Sequence, residues 1–386
     1  LIGTLTSSGM MEVARSGVFY PGQFSFSEIM MLFLGMMLGN VLLLDLYNTL
    51  GLPTSTTVSM VFGLLGAAVA TALFRIAADP SFSLHDLSQF INTGKAMVII
   101  AAILVSVVFA FAAGTLFMYI SRLIFSFRYH PAFRRWGAFW CGISLSGILY
   151  FALFKGLKSS GLIPSDITQY VGEHVLLTLF AFWAAASLIL WILQRMRFNI
   201  MRITILSGTF ALALAFAGND LVNFIGVPVA GFDAYSIAHR TGDASMLMGA
   251  LNENVPANFL VLLAAGGVMI ATLWTSKKSM HVSATELSLS TQSDEGSEQQ
   301  YGSSFFSRTI VRAALNINAG VERVIPRRLR TAIAKRFEYE DIEHSGAPYD
   351  MIRATVNLTT SALLIALATS LKLPLSTTYV SFMVAM

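Results

Sequence analysis

The sequence predicts an all-α integral membrane protein, polytopic, with two inverted repeats built around broken or re-entrant helices. Three observations carry this. Of 386 residues, 55% are hydrophobic and 12% charged, about half the ~25% charged fraction of soluble domains. The charge is also uneven: nearly half of the Lys, Arg, Asp and Glu lie in the fifth of the chain between Thr275 and Arg353, so the remainder cannot coat a water-facing surface. Finally, a Leu-Pro-x-Ser-Thr-Thr element occurs twice, once towards each end of the chain. A soluble enzyme, a nucleic-acid binder and a disordered chain all fit this composition poorly.

A bilayer core about 30 Å thick takes roughly 20 apolar residues per helix. The runs that qualify are Glu28–Leu50, Thr56–Phe74, Ala96–Ser121, Gly137–Phe154, His174–Leu193, Ile203–Ala217, Pro256–Trp274 and Met351–Leu371, with a last segment from Ser376 onward. Helix is the expected state because a lipid-embedded backbone must bond internally. The loops alternate in charge. Ser121 to Trp136 holds Arg122, Arg128, Arg134 and Arg135, and Gln194 to Arg202 holds Arg195, Arg197 and Arg202, with no acid in either. Lys277 and Lys278 open a third basic loop, whereas Arg75–Lys95 and Lys155–Glu173 are balanced. The positive-inside rule puts the basic loops in the cytoplasm, so residues 275–346 form a cytoplasmic loop of a multi-pass protein of the cell (inner) membrane. The net charge of +4 follows from this placement rather than from an acidic partner.

Within that loop, His281–Ser304 is rich in Ser, Gln and Glu and is expected to be disordered. Phe305–Phe337 interleaves apolar residues with arginines, as an amphipathic helix on an anionic leaflet would. Cys141 is the single cysteine, so no disulfide framework exists. The chain begins Leu1-Ile2-Gly3 and ends at Met386 in an apolar run; truncation at both ends is expected.

The duplicated element is Leu52-Pro53-Thr54-Ser55-Thr56-Thr57 and Leu373-Pro374-Leu375-Ser376-Thr377-Thr378. Proline lacks an amide donor and disfavours helix in the residue before it. Serine and threonine then cap a new helix whose first amides have no internal partner. Each copy therefore predicts a broken helix presenting amides and hydroxyls, a natural anion site. Breaks in corresponding positions of two halves point to a transporter binding site. An odd number of spans between them inverts the halves. A second constellation, Ala217-Gly218-Asn219-Asp220-Leu221-Val222-Asn223-Phe224-Ile225-Gly226, places a carboxylate in or near the membrane, where charge is expensive and functional by default. Asn219, Asp220 and Asn223 offer hard oxygen ligands suited to an alkali cation, and Gly218 and Gly226 permit unwinding or close packing. Asp45, in a leucine run with Asn48 one turn on, is a further cation candidate. Glu173-His174 reads as an interfacial pair, and Asn252-Glu253-Asn254 as a helix start.

Together these residues resemble the inorganic phosphate transporter family, the sodium- or proton-coupled phosphate symporters. Its signature is Gly-Ala-Asn-Asp-Val-Ala-Asn-Ala-(Ile/Phe)-Gly in each half, with a Leu-Pro-x-Ser-Thr-Thr element in each half. Here Ala217 and Gly218 are exchanged, Val222 and Phe224 replace alanines, and Lys372 stands where the first copy has Gly51. The first-half Asn-Asp signature is missing. Asn219 lies much further ahead of Ser376 than Leu1 lies ahead of Ser55, so that signature is expected upstream of Leu1. The resemblance implies phosphate contacts from Ser55, Thr56, Thr57, Ser376, Thr377 and Thr378, and sodium bound by Asn219 and Asp220, with Asn223 and Asp45 as further cation candidates. It implies secondary import of phosphate by sodium symport, alternating access between the halves, and no enzymatic activity or cofactor. Proton coupling, sulfate or another oxyanion, a passive anion channel and a membrane-embedded enzyme are the competing readings; no phosphate-cradling Gly-Lys loop suggests ATP. Expected partners are phosphate, sodium, membrane lipid and a second copy in a homodimer. The domains are expected as residues 1–95 (first repeat), 96–199 (connecting helices), 200–274 (second repeat), 275–346 (loop) and 347–386 (end of the second repeat).

Overall fold

The computed structural model describes residues 11–126, 129–151, 165–243, 245–252, 259–278, 350–371, 373 and 375–386, with residue 3 and a few separate positions between 279 and 349. Helices make up the regular structure among these residues: α1 (Met11–Ser16), α2 (Phe26–Thr49), α3 (Thr56–Ala78), α4 (Leu87–Phe90), α5 (Thr93–Ile124), α6 (His130–Tyr150), α7 (Ser165–Glu173), α8 (Val175–Arg195), α9 (Ile200–Thr241), α10 (Phe259–Thr275), α11 (Met351–Ser370) and α12 (Thr377–Ala385). Six of them, α2, α3, α5, α8, α9 and α11, are long and apolar enough to cross a membrane. The protein is thus all-α and polytopic. Leu34, Leu38, Val41 and Leu42 on α2 are 58–72% exposed, a surface that only hydrocarbon satisfies.

Several packed clusters flank α9, and two of them frame the breaks. In the first, α2, α3 and the later half of α9 close around Met36, Met60, Leu64, Val227 and Ala230. Phe19, Phe24 and Phe90 stack edge-to-face beneath them, a favoured geometry for aromatic rings. α2 opens with a capping box, in which the Ser25 N–H donates to Glu28 Oε2 (2.7 Å) and the Glu28 N–H to Ser25 Oγ (3.4 Å). In the second, Ala110 of α5, Ala215 of α9 and Ile365 of α11 meet Leu375, Val380 and Val384 of the α12 segment.

Small residues set the closest approaches, as expected where lipid supplies no hydrophobic drive between helices. A Cβ on Gly114 would lie 2.7 Å from Val384 Cα and 2.8 Å from its carbonyl oxygen, so α5 touches the α12 backbone itself. Gly114→Val is expected to destabilise the fold by about 1–3 kcal/mol through overpacking, read as a lower melting temperature of the detergent-purified protein. An unchanged melting temperature would show that α12 is not held there.

The largest departure from an expected length is in α9. The apolar run Ile203–Ala217 belongs to α9, which continues through the Asn-Asp motif to Thr241, 42 residues in all with Pro228 inside. At 1.5 Å per residue it is about 60 Å long, roughly twice a hydrocarbon core. Asn199 caps its start, accepting from the Arg202 N–H at 3.1 Å, and Gly242 ends it in the left-handed region at φ 72°. No unwinding occurs at Gly218 or Gly226; the motif side chains find tertiary partners and the backbone keeps its own bonds. The expected disordered stretch His281–Ser304 lies outside the described residues. Of Phe305–Phe337, positions 305, 308, 309, 311, 312, 315, 316 and 331 are helical and exposed.

Candidate functional site

The two Leu-Pro-x-Ser-Thr-Thr elements fold alike at the residues described in both. α2 stops at Leu50 (φ −80°, ψ −3°) and α11 at Leu371 (φ −90°, ψ 3°). The Leu52 N–H donates to the Tyr47 carbonyl and the Leu373 N–H to the Ala368 carbonyl, both at 3.0 Å, the long closing bond of a Schellman turn. In the first copy Gly51 takes the left-handed conformation (φ 66°) that this turn requires. Ser55 (φ −89°, ψ 115°) then caps α3, accepting from the Val58 N–H at 3.2 Å. Ser376 (φ −86°, ψ 106°) caps α12, accepting from the Tyr379 N–H at 3.0 Å. Pro374 and Lys372 lie outside the described residues, so the expected cation beside the second break is not placed.

The breaks touch. Thr378 Oγ1 donates to the Thr54 carbonyl at 3.2 Å. Between them lies Asp220. Thr377 Oγ1 donates to its carboxylate, 2.8 Å from Oδ2 and 3.0 Å from Oδ1, and Thr56 Oγ1 reaches Oδ1 at 3.3 Å. Thr56 and Thr377 occupy equivalent positions in the two elements, so one carboxylate is shared by matching hydroxyls from each half. The α9 helix supplies the rest. Asn219 and Asn223, one turn apart, each donate Nδ2 to Asp220 Oδ1 at 3.2 Å. Asn223 also reaches Thr56 Oγ1 (3.0 Å) and Thr57 Oγ1 (2.9 Å), while Asn219 reaches the Leu375 carbonyl (3.4 Å).

Burial sorts these residues. Ser55, Thr57, Asn219, Asn223, Ser376 and Thr377 are at most 2% exposed, whereas Thr56, Thr378 and Asp220 are half-buried. The accessible groups of the centre are therefore a carboxylate and two hydroxyls. Among the described residues no basic side chain bonds Asp220; four neutral donors hold it. Such donors orient the carboxylate without cancelling its charge, which leaves it ready for a cation. Asn219 Oδ1 is fully buried and has no hydrogen-bond partner among the described residues, an oxygen of the kind hard cations take as ligand.

Sequence alone groups nine site residues that the structure also brings together, but it assigns all six hydroxyls one task. Ser55 and Ser376 lie deepest and cap helices, while the threonines one residue on face Asp220. Asp45 joins none of the bonds of the centre. Its side chain is 64% exposed near the end of α2 and pairs with Lys278 Nζ at 2.5 Å, because the leucine run turns that face away from α9 toward the segment after α10. Asp45→Asn is expected to leave uptake and its cation dependence within about twofold, since exposed pairs contribute at most ~1 kcal/mol; a tenfold fall in transport assays would return Asp45 to the site. Glu173 and His174 are exposed at the α7–α8 junction, bonded to Gln169 Nε2 and the Tyr170 carbonyl.

Two broken hairpins meeting on a helix-borne carboxylate are the architecture of a membrane solute carrier. A model of the phosphate transporter family matches residues 1–307. The chain belongs to that family, and phosphate transport is its function at that level. Among solved structures, one described as the sodium-dependent phosphate transporter aligns with a TM-score of 0.59 and 15% identity, covering 99% of this chain and 76% of the other. That likeness speaks for the fold. No curated protein matches the sequence.

Proposed function

We propose that the chain is a secondary transporter importing inorganic phosphate by sodium symport, with phosphate and sodium bound where the two breaks meet α9. The observation that carries this reading is the convergence of Thr56 and Thr377 on Asp220. A substrate seated there touches both halves at once, as alternating access between inverted halves requires. Thr56 and Thr378 offer hydroxyls, and the capped starts of α3 and α12 offer helix N-terminal polarity, to an oxyanion, while Thr377 holds Asp220. Asn219 Oδ1 and the Asp220 carboxylate serve sodium, with Asn223 positioning Asp220 and both threonines of the first break.

Charge explains the coupling. A phosphate about 4 Å from an ionised Asp220 is repelled by about 4 kcal/mol per unit charge at an effective dielectric near 20. Sodium bound between them reverses that sign, so each ligand raises the other's affinity, and the effect is reciprocal. Net inward cation movement then draws on the membrane potential, about 2.3 kcal/mol per charge per 100 mV. The test is labelled-phosphate uptake into vesicles holding the purified protein, with an inward sodium gradient, with choline in place of sodium, or with excess sulfate added. Accumulation above the bath level that needs sodium and resists sulfate is the expected result. Equilibration without accumulation, or uptake indifferent to sodium, would overturn symport.

A further inference from the structure

The two hairpins are alike in backbone but not in what lines them. Arg353 Nη2 donates to the Ala385 carbonyl at 2.8 Å, which fixes the end of α12 beside the start of α11. The two helices run in opposite directions, so each turn forward along α11 matches a turn back along α12. One turn on, Asn357 stands level with Ser381; a second turn sets Ser361 level with Thr377, the residue that holds Asp220. Ser361, Asn357 and Ser381 are 2%, 8% and 6% exposed. Both polar atoms of the Asn357 amide and the Ser381 hydroxyl are buried without a hydrogen-bond partner among the described residues. Buried polar atoms of this kind are rare and ask for an explanation.

At three of these positions the first hairpin is apolar; the fourth, Ser361 beside the centre, matches Asn40, which is also polar and buried. When the two Leu-Pro-x-Ser-Thr-Thr elements are aligned, Arg353, Asn357 and Ser381 correspond to Leu32, Met36 and Met60, all at most 2% exposed in a closed hydrophobic cluster. One hairpin is sealed by methionines; its counterpart carries a polar row from the Asp220 centre to the ends of α11 and α12. At that end Arg122 pairs with Asp350 in a buried ion pair, and Asp350 caps α11. With Arg353 the mouth holds two guanidinium groups and one carboxylate, a net positive charge.

We infer that Ser361, Asn357 and Ser381 line the passage by which phosphate leaves the centre toward the face bearing Lys277, Lys278 and the basic loops, with Arg353 and Arg122 receiving the anion at its mouth. The inference rests on the proposed phosphate site at Asp220. Hydroxyl and amide donors suit an oxyanion in transit, since neutral groups bind it well enough to replace water and loosely enough to let it go. The basic mouth favours the anion over sodium and is held shut by Asp350 until the hairpin moves.

The sole cysteine, buried Cys141, makes the test direct. In a Cys141→Ala full chain, Ser381→Cys, Asn357→Cys and Met36→Cys are probed in oriented vesicles with a membrane-impermeant thiosulfonate. Ser381→Cys and Asn357→Cys are expected to react from the loop-bearing face, at least tenfold faster than Met36→Cys from either face. Carrying the first hairpin's residues across, Asn357→Met with Ser381→Met, is expected to slow uptake at least tenfold while equilibrium binding of labelled phosphate stays within twofold. Equal labelling of all three, labelling of the polar pair only from the opposite face, or full-speed transport by the methionine pair with binding intact would overturn the passage. Failure of the parent chain to bind phosphate would instead strike the central site, and the labelling pattern would still decide the path. Should the methionine pair fold poorly, Asn357→Ala with Ser381→Ala gives the gentler comparison: it removes both donors, and uptake is expected to slow about threefold or more with phosphate binding within twofold, whereas uptake at the parental rate would overturn the passage.

Discussion

Asp220→Asn is expected to abolish sodium-stimulated phosphate uptake, by 100-fold or more at low sodium, while leaving the amount of folded protein in the membrane unchanged. The substitution preserves shape and one acceptor oxygen, so Thr377 keeps a partner, but it removes the charge that attracts the cation. Removing the charge partner of a bound, desolvated ion typically costs 2–5 kcal/mol in binding, which is about 30- to 4,000-fold. Sign matters as much as size. If Asp220 only braces the two breaks, phosphate affinity falls while its dependence on sodium persists. If it binds the cation, sodium dependence itself disappears. Uptake curves at several sodium concentrations separate the two, and a mutant as sodium-dependent as the parent would remove Asp220 from the cation site.

Thr377→Val is expected to have the next largest effect, raising the half-saturation concentrations for phosphate and sodium by about 10- to 100-fold. Valine keeps the shape and removes a hydroxyl that is 2% exposed and 2.8 Å from the Asp220 carboxylate. A hydrogen bond to a charged group contributes about 1.5–3 kcal/mol. Thr56→Val should do less, because its bond is longer at 3.3 Å and Asn223 also contacts that hydroxyl. The two substitutions should fall short of or exceed additivity, since both act on one carboxylate. An inverted ranking, or two mutants that simply add, would show that the halves do not share Asp220.

What was legible in the sequence was local chemistry. Proline followed by small alcohols breaks a helix and starts another wherever it occurs, so both breaks and their capping serines can be read from the residues alone. Composition and loop charge mark α2 to within two residues and α3 at its start, although α3 runs four residues further, to Ala78. Partnership across the chain was not legible. Asp45 looks intramembrane until Lys278, 233 residues away, takes it up. The Asn-Asp motif looks like a helix end until Thr56, Thr57 and Thr377 satisfy its side chains and spare the backbone from unwinding. Division of labour between Ser55 and Thr56 is equally invisible, because which hydroxyl caps and which reaches outward depends on where the next helix points. A subtler signal does lie in the residue pattern: at matching positions of the two repeats Asn357 and Ser381 replace Met36 and Met60, a polar-for-apolar exchange that marks an unequal pair of halves.

The unbroken course of α9 has a mechanical consequence. Asn219, Asp220 and Asn223 ride on a single rod whose hydrogen-bonded turns do not flex independently, so their mutual spacing is a constant of the molecule. Under the proposed alternating access, exchange between the two faces of the bilayer would fall to the hairpins pivoting against that rod, with α9 as the stator. Spin labels placed along α9 short of Pro228 should keep one separation distribution throughout the cycle, while labels bridging α9 to α3 or α12 should show two.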